Sequence, residues 1–178
     1  MYELVQVSEK CYYINCPAKI EVYDADKETV YLIDSGNDKN KGRKVRQILE
    51  KNNEHLTAIL NTHSNADHIG GNRYLQMQTG CKIYSGGIEA VFTTYPALEP
   101  SFLYGDYPCK DLRHQFLFAQ ESDMTDFSDA SFPKEIEIIP LPGHFSIWLD
   151  SKCQTEWCSL QTALVTGRRG KVCRLVHL

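Results

Sequence analysis

The sequence lacks three features that would place it in large classes of proteins. No apolar run approaches the roughly 20 residues of a membrane-spanning helix, so a membrane is not an expected partner. The first ten residues, MYELVQVSEK, contain no apolar core of a secretion signal, and we expect a cytoplasmic protein. The 19 Lys and Arg residues form no basic stripe, and a formal net charge of −4 argues against nucleic acid as the partner.

The seven cysteines contain no CxxC pair, which argues against a structural zinc site of the usual knuckle type. Cys11 and Cys16 are five positions apart, as are Cys153 and Cys158. Without an export signal, we interpret all seven as reduced thiols of a cytosolic protein. The 178 residues, 42% of them hydrophobic, suffice for one domain with a sizeable core.

Short strands and one amphipathic helix are predicted for the first third of the chain. A polar turn at residues 24–27 separates two of the strands and predicts a hairpin. Residues 40–53 place Val45, Ile48 and Leu49 on one helical face, with charges elsewhere. The predicted strands of this region span residues 2–6, 11–15, 18–23 and 29–34.

The rest of the chain up to residue 144 predicts alternating strands and helices around one irregular region. The segment 56–60 is nearly all apolar, as in strands that are buried on both faces. Residues 95–133, rich in Pro, Asp, Tyr and Phe, predict a long surface excursion that could act as a lid. A turn at Leu141–His144 ends the last predicted strand. The remaining predictions are a helix at 68–78, a strand at 82–84, a helix at 87–94 and a strand at 135–140.

The stretch LNTHSNADHIGG, residues 60–71, follows the apolar strand and gathers side chains that bind metals. His63, Asp67 and His68 lie in one tight loop at the carboxyl end of that strand, where open α/β folds place ligands. Imidazole and carboxylate are donors that suit zinc, manganese and iron. His144 follows another strand end and supplies a third imidazole. The pattern therefore predicts a metal site.

THSNADHIGG followed by LPGH, with VYLIDSG upstream, resembles the metallo-β-lactamase superfamily, whose loop usually reads His-x-His-x-Asp-His. The order and spacing of the three motifs fit over residues 1–145. The resemblance implies an α/β fold, namely an αβ/βα sandwich of two mixed sheets with helices outside and metals at one edge. It also implies a metal-dependent hydrolase similar to glyoxalase II, with one or two zinc ions and with iron or manganese as the alternatives.

The resemblance assigns roles to individual residues. His63 and His144 match ligands of a first metal, and Asp67 and His68 match ligands of a second. Asp34 matches an aspartate that braces the site loops through hydrogen bonds. The expected metal site is therefore built from two loops and the end of one more strand.

Asn65 stands where the family usually has its second histidine on the first metal. One role open to Asn65 is that of a weak oxygen ligand, which would lower the affinity of the first site by about an order of magnitude or more. The other is hydrogen bonding to the loop backbone, as Asn often does in turns. Just downstream, Gly70 and Gly71 are expected to let the following helix pack closely.

The reaction implied by the resemblance is hydrolysis of a small-molecule substrate. A metal lowers the pKa of water from about 15.7 to about 7, and the resulting hydroxide attacks an ester, thioester, lactone or phosphodiester. Asp67 would orient this nucleophile and act as the catalytic residue as well as a ligand. The alternative is a catalytically impaired or inactive metal-binding or interaction domain on the same scaffold.

Residues 146–178 do not continue the resemblance, and we treat them as an atypical tail behind a family-like domain at 1–145. The family would continue with a hairpin that ends in a metal-bridging aspartate, and then a final histidine. Allowed codons for residues 146–164, read from the third base of the first codon, encode DMVGFKMPDGVVFLADCL, which has that shape. Our hypothesis is a frameshift in the gene or its sequencing, and the alternative is a divergent tail. A half-sandwich would expose sheet faces and favour homo-oligomers.

Overall fold

The computed structural model describes residues 2–113, 117–141 and 148–153, and the fold is given for these residues. The α/β class predicted from the sequence is confirmed. In chain order the elements are β1 (Leu4–Gln6), β2 (Cys11–Ile14), β3 (Ile20–Asp24), β4 (Thr29–Ile33), α1 (Lys39–Lys51), β5 (His55–Leu60), α2 (Ala66–Ile69), α3 (Asn72–Thr79), β6 (Lys82–Ser85), α4 (Gly87–Thr94), α5 (Leu98–Tyr104), a short 3₁₀ helix (Lys110–Leu112), β7 (Met124–Asp126), β8 (Ile136–Leu141) and β9 (Trp148–Cys153).

Strands β1 to β7 form one seven-stranded sheet in sequence order. Strands β1 to β4 are antiparallel neighbours, which we call the antiparallel half, while β4 to β7 run parallel and form the parallel half. The predicted hairpin is β3–β4, in which Asp24 accepts a hydrogen bond from the Lys27 backbone N–H and Lys27 has a φ of 73°. Because β4 to β7 are parallel, their carboxyl ends lie at one edge of the sheet.

Both faces of the sheet carry buried apolar side chains, because successive side chains of a strand point to opposite faces. Leu32 and Ile59 belong to a buried cluster that also contains Val45 and Leu49 of α1 and Leu75 of α3. On the opposite face the buried cluster includes a residue of β8, which pairs with β9 in a separate two-stranded sheet. That second cluster consists of Cys11, Tyr23, Ile33, Ala58, Leu60, Tyr84 and Ile136.

The single helix predicted for residues 68–78 is wrong in its extent, because the structure has two helices, α2 and α3, interrupted at Gly70 and Gly71. A Cβ atom at Gly70 would lie 2.2 Å from the carbonyl carbon of Asn37. A Cβ atom at Gly71 would lie 2.4 Å from the Ser35 carbonyl oxygen. The chain that follows β4 therefore approaches this point so closely that only glycine fits.

Two further regions are more regular than the sequence predicts. Residues 95–133, expected to be irregular, contain α5, the 3₁₀ helix and β7, which pairs in parallel with β6. Within the tail at 146–178, β9 pairs antiparallel with β8, although no periodicity predicted a strand there. Of the predicted turn at 141–144, only Leu141, the last residue of β8, belongs to the described residues. Among the described helices, none has the length and apolar character needed to cross a bilayer.

Candidate metal centre

The carboxyl ends of β4, β5 and β6 lie side by side in the parallel half and carry the candidate site. Asp34 directly follows β4, and its backbone N–H donates to the Leu60 carbonyl at 2.9 Å. Strand β5 leads into residues 62–68, which we call the histidine loop. Between strand and loop, the Asn61 N–H donates to the Tyr84 carbonyl of β6 at 2.9 Å. Main-chain hydrogen bonds thus continue past the strands and hold the three connections together.

Asp34 lies at the buried centre of this arrangement. It is 1% exposed, and its φ of 63° is uncommon for a residue other than glycine. Its Oδ1 accepts the Thr62 backbone N–H at 2.9 Å, while its Oδ2 accepts the Thr62 hydroxyl at 2.7 Å and lies 2.7 Å from His68 Nδ1. Burial by itself raises the pKa of Asp34, but His68 and these hydrogen bonds hold that pKa below its usual value. Asp34 is therefore an ionised acceptor that ties the histidine loop to β4.

The ionised Asp34 sets the tautomers of both imidazoles in the loop. His68 Nδ1 faces the carboxylate and carries the proton. Burial lowers the pKa of His68, but the charge and hydrogen bond of Asp34, together with the charges of Asp67 and Glu99, raise it above its usual value. The Thr62 hydroxyl donates its proton to Asp34, so the Thr62 oxygen accepts the Nδ1 proton of His63 at 2.8 Å. In the neutral form of each ring the lone pair then lies on Nε2, through which each histidine would bind a metal.

Asp67 and His68 present two donor atoms at a spacing that suits one ion. His68 Nε2 lies 3.6 Å from Asp67 Oδ2. Two ligands of a tetrahedral zinc ion, each bound at about 2.0–2.2 Å, lie about 3.4 Å apart. The His68 side chain is 14% exposed and that of Asp67 is 49% exposed. The pair therefore fits an ion held at the boundary between the buried site and solvent.

His63 lies deeper than His68, at 1% exposure, and the centroids of the two rings are 4.0 Å apart. One potential ligand atom from each of Asp34, His63 and His68 lies within 4.8 Å of the other two. We interpret Asp34 as an orienting residue within this group, because its two oxygens already accept hydrogen bonds from Thr62 and His68. Within this group, the imidazoles of His63 and His68 are then the candidate metal ligands.

Asn65 occupies the N-cap position of α2, yet its side chain makes no capping hydrogen bond. Its backbone carbonyl accepts the N–H groups of His68 and Ile69 at 2.8 and 3.2 Å. Its side-chain Oδ1 is buried and has no hydrogen-bond partner among the described residues. A buried carbonyl oxygen without a partner costs about 1–3 kcal/mol. Oδ1 therefore makes no hydrogen bond to the described loop backbone, and ligation by Asn65 stays a prediction.

Two buried glutamates that the sequence analysis missed also contact the histidine loop. Glu89 of α4 accepts the backbone N–H of Ser64 at 3.0 Å and its hydroxyl at 2.6 Å. Glu99 of α5 accepts the backbone N–H of Ala66 at 3.0 Å, and burial raises the pKa of Glu99 to about 7. Glu89 follows the third parallel strand, a position that could have indicated it. The approach of α5 to the loop leaves no signal in the sequence.

Four of the five predicted ligands lie in the histidine loop. His68 lies close to both His63 and Asp67, and Asn65 lies between His63 and Asp67 in the chain with its oxygen buried. His144, the fifth predicted ligand, lies outside the described residues. The described part of the site is therefore the portion built by β4, β5 and the helices that follow β6.

The same fold occurs in solved metallo-β-lactamases. A subclass B3 metallo-β-lactamase of Bradyrhizobium japonicum is 20% identical with a TM-score of 0.64, and the match covers 93% of this chain and 66% of that chain. A metallo-β-lactamase from Cronobacter sakazakii with a HARLDQ motif is 16% identical with a TM-score of 0.63, covering 84% and 58%. A subclass B3 metallo-β-lactamase from a soil metagenome library is 18% identical with a TM-score of 0.62, covering 84% and 56%. These likenesses confirm the predicted fold, and this chain spans less than two thirds of each of those structures.

A family model connects the chain to the same group by sequence. The model of the metallo-beta-lactamase superfamily matches residues 20–154. This range contains Asp34, the whole histidine loop and His144, and it covers most of the chain. The chain therefore belongs to the metallo-beta-lactamase superfamily, as its three motifs predicted.

Proposed function

We propose that the chain is a metal-dependent hydrolase that acts on a small molecule. The observation that carries the proposal is the set of hydrogen bonds to Asp34, because one buried carboxylate orients both His63 and His68 for binding through Nε2. Members of the superfamily are usually hydrolases, which supports the reaction type. The proposed substrate is an ester, a thioester, a lactone or a phosphodiester.

Zinc is the proposed metal, as one or two ions, because imidazole and carboxylate donors suit it. Asp67 and His68 would hold one ion, since their donor atoms lie 3.6 Å apart. His63 and Asn65 would hold the other, together with His144. Iron or manganese would accept the same donors, so metal analysis decides between them.

Asn65 would contribute a neutral oxygen where an imidazole binds more tightly. Ligation would give its buried Oδ1 a partner that the described residues do not supply. The HARLDQ motif of the Cronobacter sakazakii protein shares its first His and its Asp with HSNADH at 63–68, and it has Arg at the third position. A third position without histidine thus occurs on this fold.

When bound, a divalent metal supplies a Lewis acid and lowers the pKa of a water to about 7. The chain would contribute orientation and proton handling. Asp67, with its half-exposed side chain, would accept a hydrogen bond from the attacking water through a carboxylate oxygen and so direct it. Asp34 would keep both imidazoles aligned, since it remains ionised and buried.

Metal analysis and turnover of the purified full chain test the proposal. We expect one or two zinc ions per chain, together with hydrolysis of a compound in a panel of esters, thioesters, lactones and phosphodiesters. Chelation should remove both metal and turnover, and added zinc should restore them. Asn65→His should tighten zinc binding by about tenfold or more, and Asn65→Ala should weaken it by a similar factor.

Asn15→Ala is the matched control for Asn65, because Asn15 is exposed in the antiparallel half. It should leave zinc affinity unchanged. A chain that binds no divalent metal would contradict the proposal. Metal binding without turnover on any of the four ester classes would favour the catalytically impaired metal-binding domain.

We further propose that turnover depends on the residues that follow position 145, namely the atypical tail at 146–178. The family's bridging aspartate and final histidine would fall there, whereas Asp150 is only six residues after His144. A frameshift would account for this difference. The coding DNA tests that account, since an in-frame continuation should appear once a single nucleotide change is made.

A further inference from the structure

Both chain neighbours of Asn65 are held by carboxylates from other helices. Ser64 donates its backbone N–H and its hydroxyl to Glu89 of α4 at 3.0 and 2.6 Å. Ala66 donates its backbone N–H to Glu99 of α5 at 3.0 Å. These contacts reach across 25 and 33 positions of the chain. Two separate helices therefore satisfy polar groups of the histidine loop on either side of Asn65.

The contact at Ala66 satisfies the first N–H of a helix. Ala66 is the first residue of α2, and the first N–H groups of a helix have no partner within that helix. An Asn side chain at the N-cap position usually accepts the N–H of the second or third helical residue. The Asn65 side chain makes no such hydrogen bond, and Glu99 accepts the N–H of the first residue.

Both glutamates are buried where they make these contacts. Glu89 is 0% exposed and Glu99 is 3% exposed. A buried carboxylate is unfavourable unless it is hydrogen-bonded, and hydrogen bonds from backbone N–H groups to a carboxylate are about twice as strong as neutral ones. A residue that only filled space here would be apolar. The carboxylate oxygens of Glu89 and Glu99 are therefore what these two residues contribute to the histidine loop.

We propose that Glu89 and Glu99 are positioning residues of the metal site. By fixing both neighbours of Asn65, they direct its Oδ1 toward the metal and away from the main chain. The inference rests on the proposed function, because it assumes a metal at the histidine loop. It also gives α5 a role as a fixed support, although the region that contains α5 was predicted to be a lid.

Cobalt binding to the full chain tests the proposal, since the visible absorption of Co²⁺ reports its ligands. Glu89→Ala and Glu99→Ala remove the acceptors, and we expect each to weaken Co²⁺ affinity by about tenfold or more and to change the absorption spectrum. Glu89→Gln and Glu99→Gln keep a carbonyl oxygen that accepts an N–H, so their affinities should stay within about threefold of the original. Glu50→Ala, an exposed helical glutamate paired with Arg46, is the matched control.

Amide hydrogen exchange of the metal-free chain tests the contacts independently of any metal. Exchange at Ser64 should rise by about tenfold in Glu89→Ala, and exchange at Ala66 should rise similarly in Glu99→Ala. Each glutamine variant should restore protection at its own amide. If the original chain bound no metal, the proposed function would fail. The exchange data would still show whether Glu89 and Glu99 protect the amides of Ser64 and Ala66.

Two results would overturn the proposal. One is an alanine variant that is less stable than the original chain but keeps its Co²⁺ affinity and spectrum, because the glutamate would then act only in folding. The other is unchanged exchange at Ser64 and Ala66 in both alanine variants. Where an alanine variant does not fold, the aspartate variant, whose carboxylate is one methylene shorter, carries the same expectations.

Discussion

Asp24 and Asp34 stand at the ends of neighbouring strands in one sheet, but their carboxylates serve different purposes. Asp24, in the antiparallel half, accepts the N–H of Lys27 within its own hairpin turn. Asp34, in the parallel half, accepts hydrogen bonds from Thr62 and His68 of the next strand's loop. The first contact spans three positions of the chain, whereas the contact with His68 spans 34.

Strand direction explains the difference between the two halves. A hairpin returns the chain at once, so its polar side chains are occupied within the turn. Parallel strands need longer crossovers, and their carboxyl ends then gather at one edge, where the following loops can contact each other. Burial alone does not make a site, because the core residues of both halves are equally inaccessible to solvent.

The largest expected effect compares the cores of the two halves. Ile14 of β2 and Ile59 of β5 are both 0% exposed and belong to one cluster. Ile14→Ala and Ile59→Ala should each lower the free energy of unfolding by about 2–5 kcal/mol, measured by urea denaturation of the metal-free chain. Only Ile59→Ala should also weaken zinc binding, because β5 leads into the histidine loop. Equal loss of zinc affinity in both variants would show that the metal site does not depend on the parallel half more than on the antiparallel half.

The two aspartates give the next largest effect. Asp34→Ala leaves buried donors of Thr62 and His68 without an acceptor, so we expect a loss of about 1–3 kcal/mol in the free energy of unfolding. Zinc affinity should also fall by about 10–100-fold. Asp24→Ala, the matched variant, should cost about 0.5–1.5 kcal/mol and leave zinc affinity unchanged. Calorimetric zinc titration checks both, and retention of full affinity in Asp34→Ala would refute its orienting role.

The smallest expected effect is a pH dependence that originates in the parallel half. Burial raises the pKa of Glu99 from 4.5 to about 7, so the folded chain binds this proton more tightly than the unfolded chain. Glu99 therefore contributes stability below pH 4.5 that is lost as the pH rises through about 7. Glu99→Gln should reduce the difference in urea midpoint between pH 5 and pH 8, to be measured on the metal-free chain. Glu28→Gln, in the exposed β3–β4 turn, is the control, and an unchanged difference in Glu99→Gln would contradict the expectation.

Local patterns predicted most of the strands and helices. Alternation and the turn at 24–27 indicated the first hairpin, and the predicted helix at 87–94 coincides with α4. The helix predicted at 68–78 failed because its interruption depends on contact between Gly70 and the backbone at Asn37. That contact joins segments about thirty positions apart in the chain, and periodicity within one segment carries no information about it.

The candidate site was predictable only where several metal-binding side chains fall within one short motif. The four ligand-type residues of the histidine loop could be named because they fall within six positions. Only its place after a parallel strand could have indicated Glu89, and nothing indicated Glu99, because a single carboxylate on a helix is usually exposed. Their roles follow from their burial against Ser64 and Ala66. The role of Thr62 in passing a hydrogen bond from His63 to Asp34 likewise required distances.

The hydrogen bonds that shape the histidine loop join distant parts of the chain, and this affects when the metal site forms during folding. The partners of Thr62, Ser64, Ala66 and His68 lie 25 to 34 positions away. Contacts of such separation form only after large loops have closed, so the coordination geometry should mature late in folding. An ion that recognises only the finished arrangement shifts the equilibrium toward it by mass action. The supply of the proposed metal would then govern how much of this chain persists in its native state.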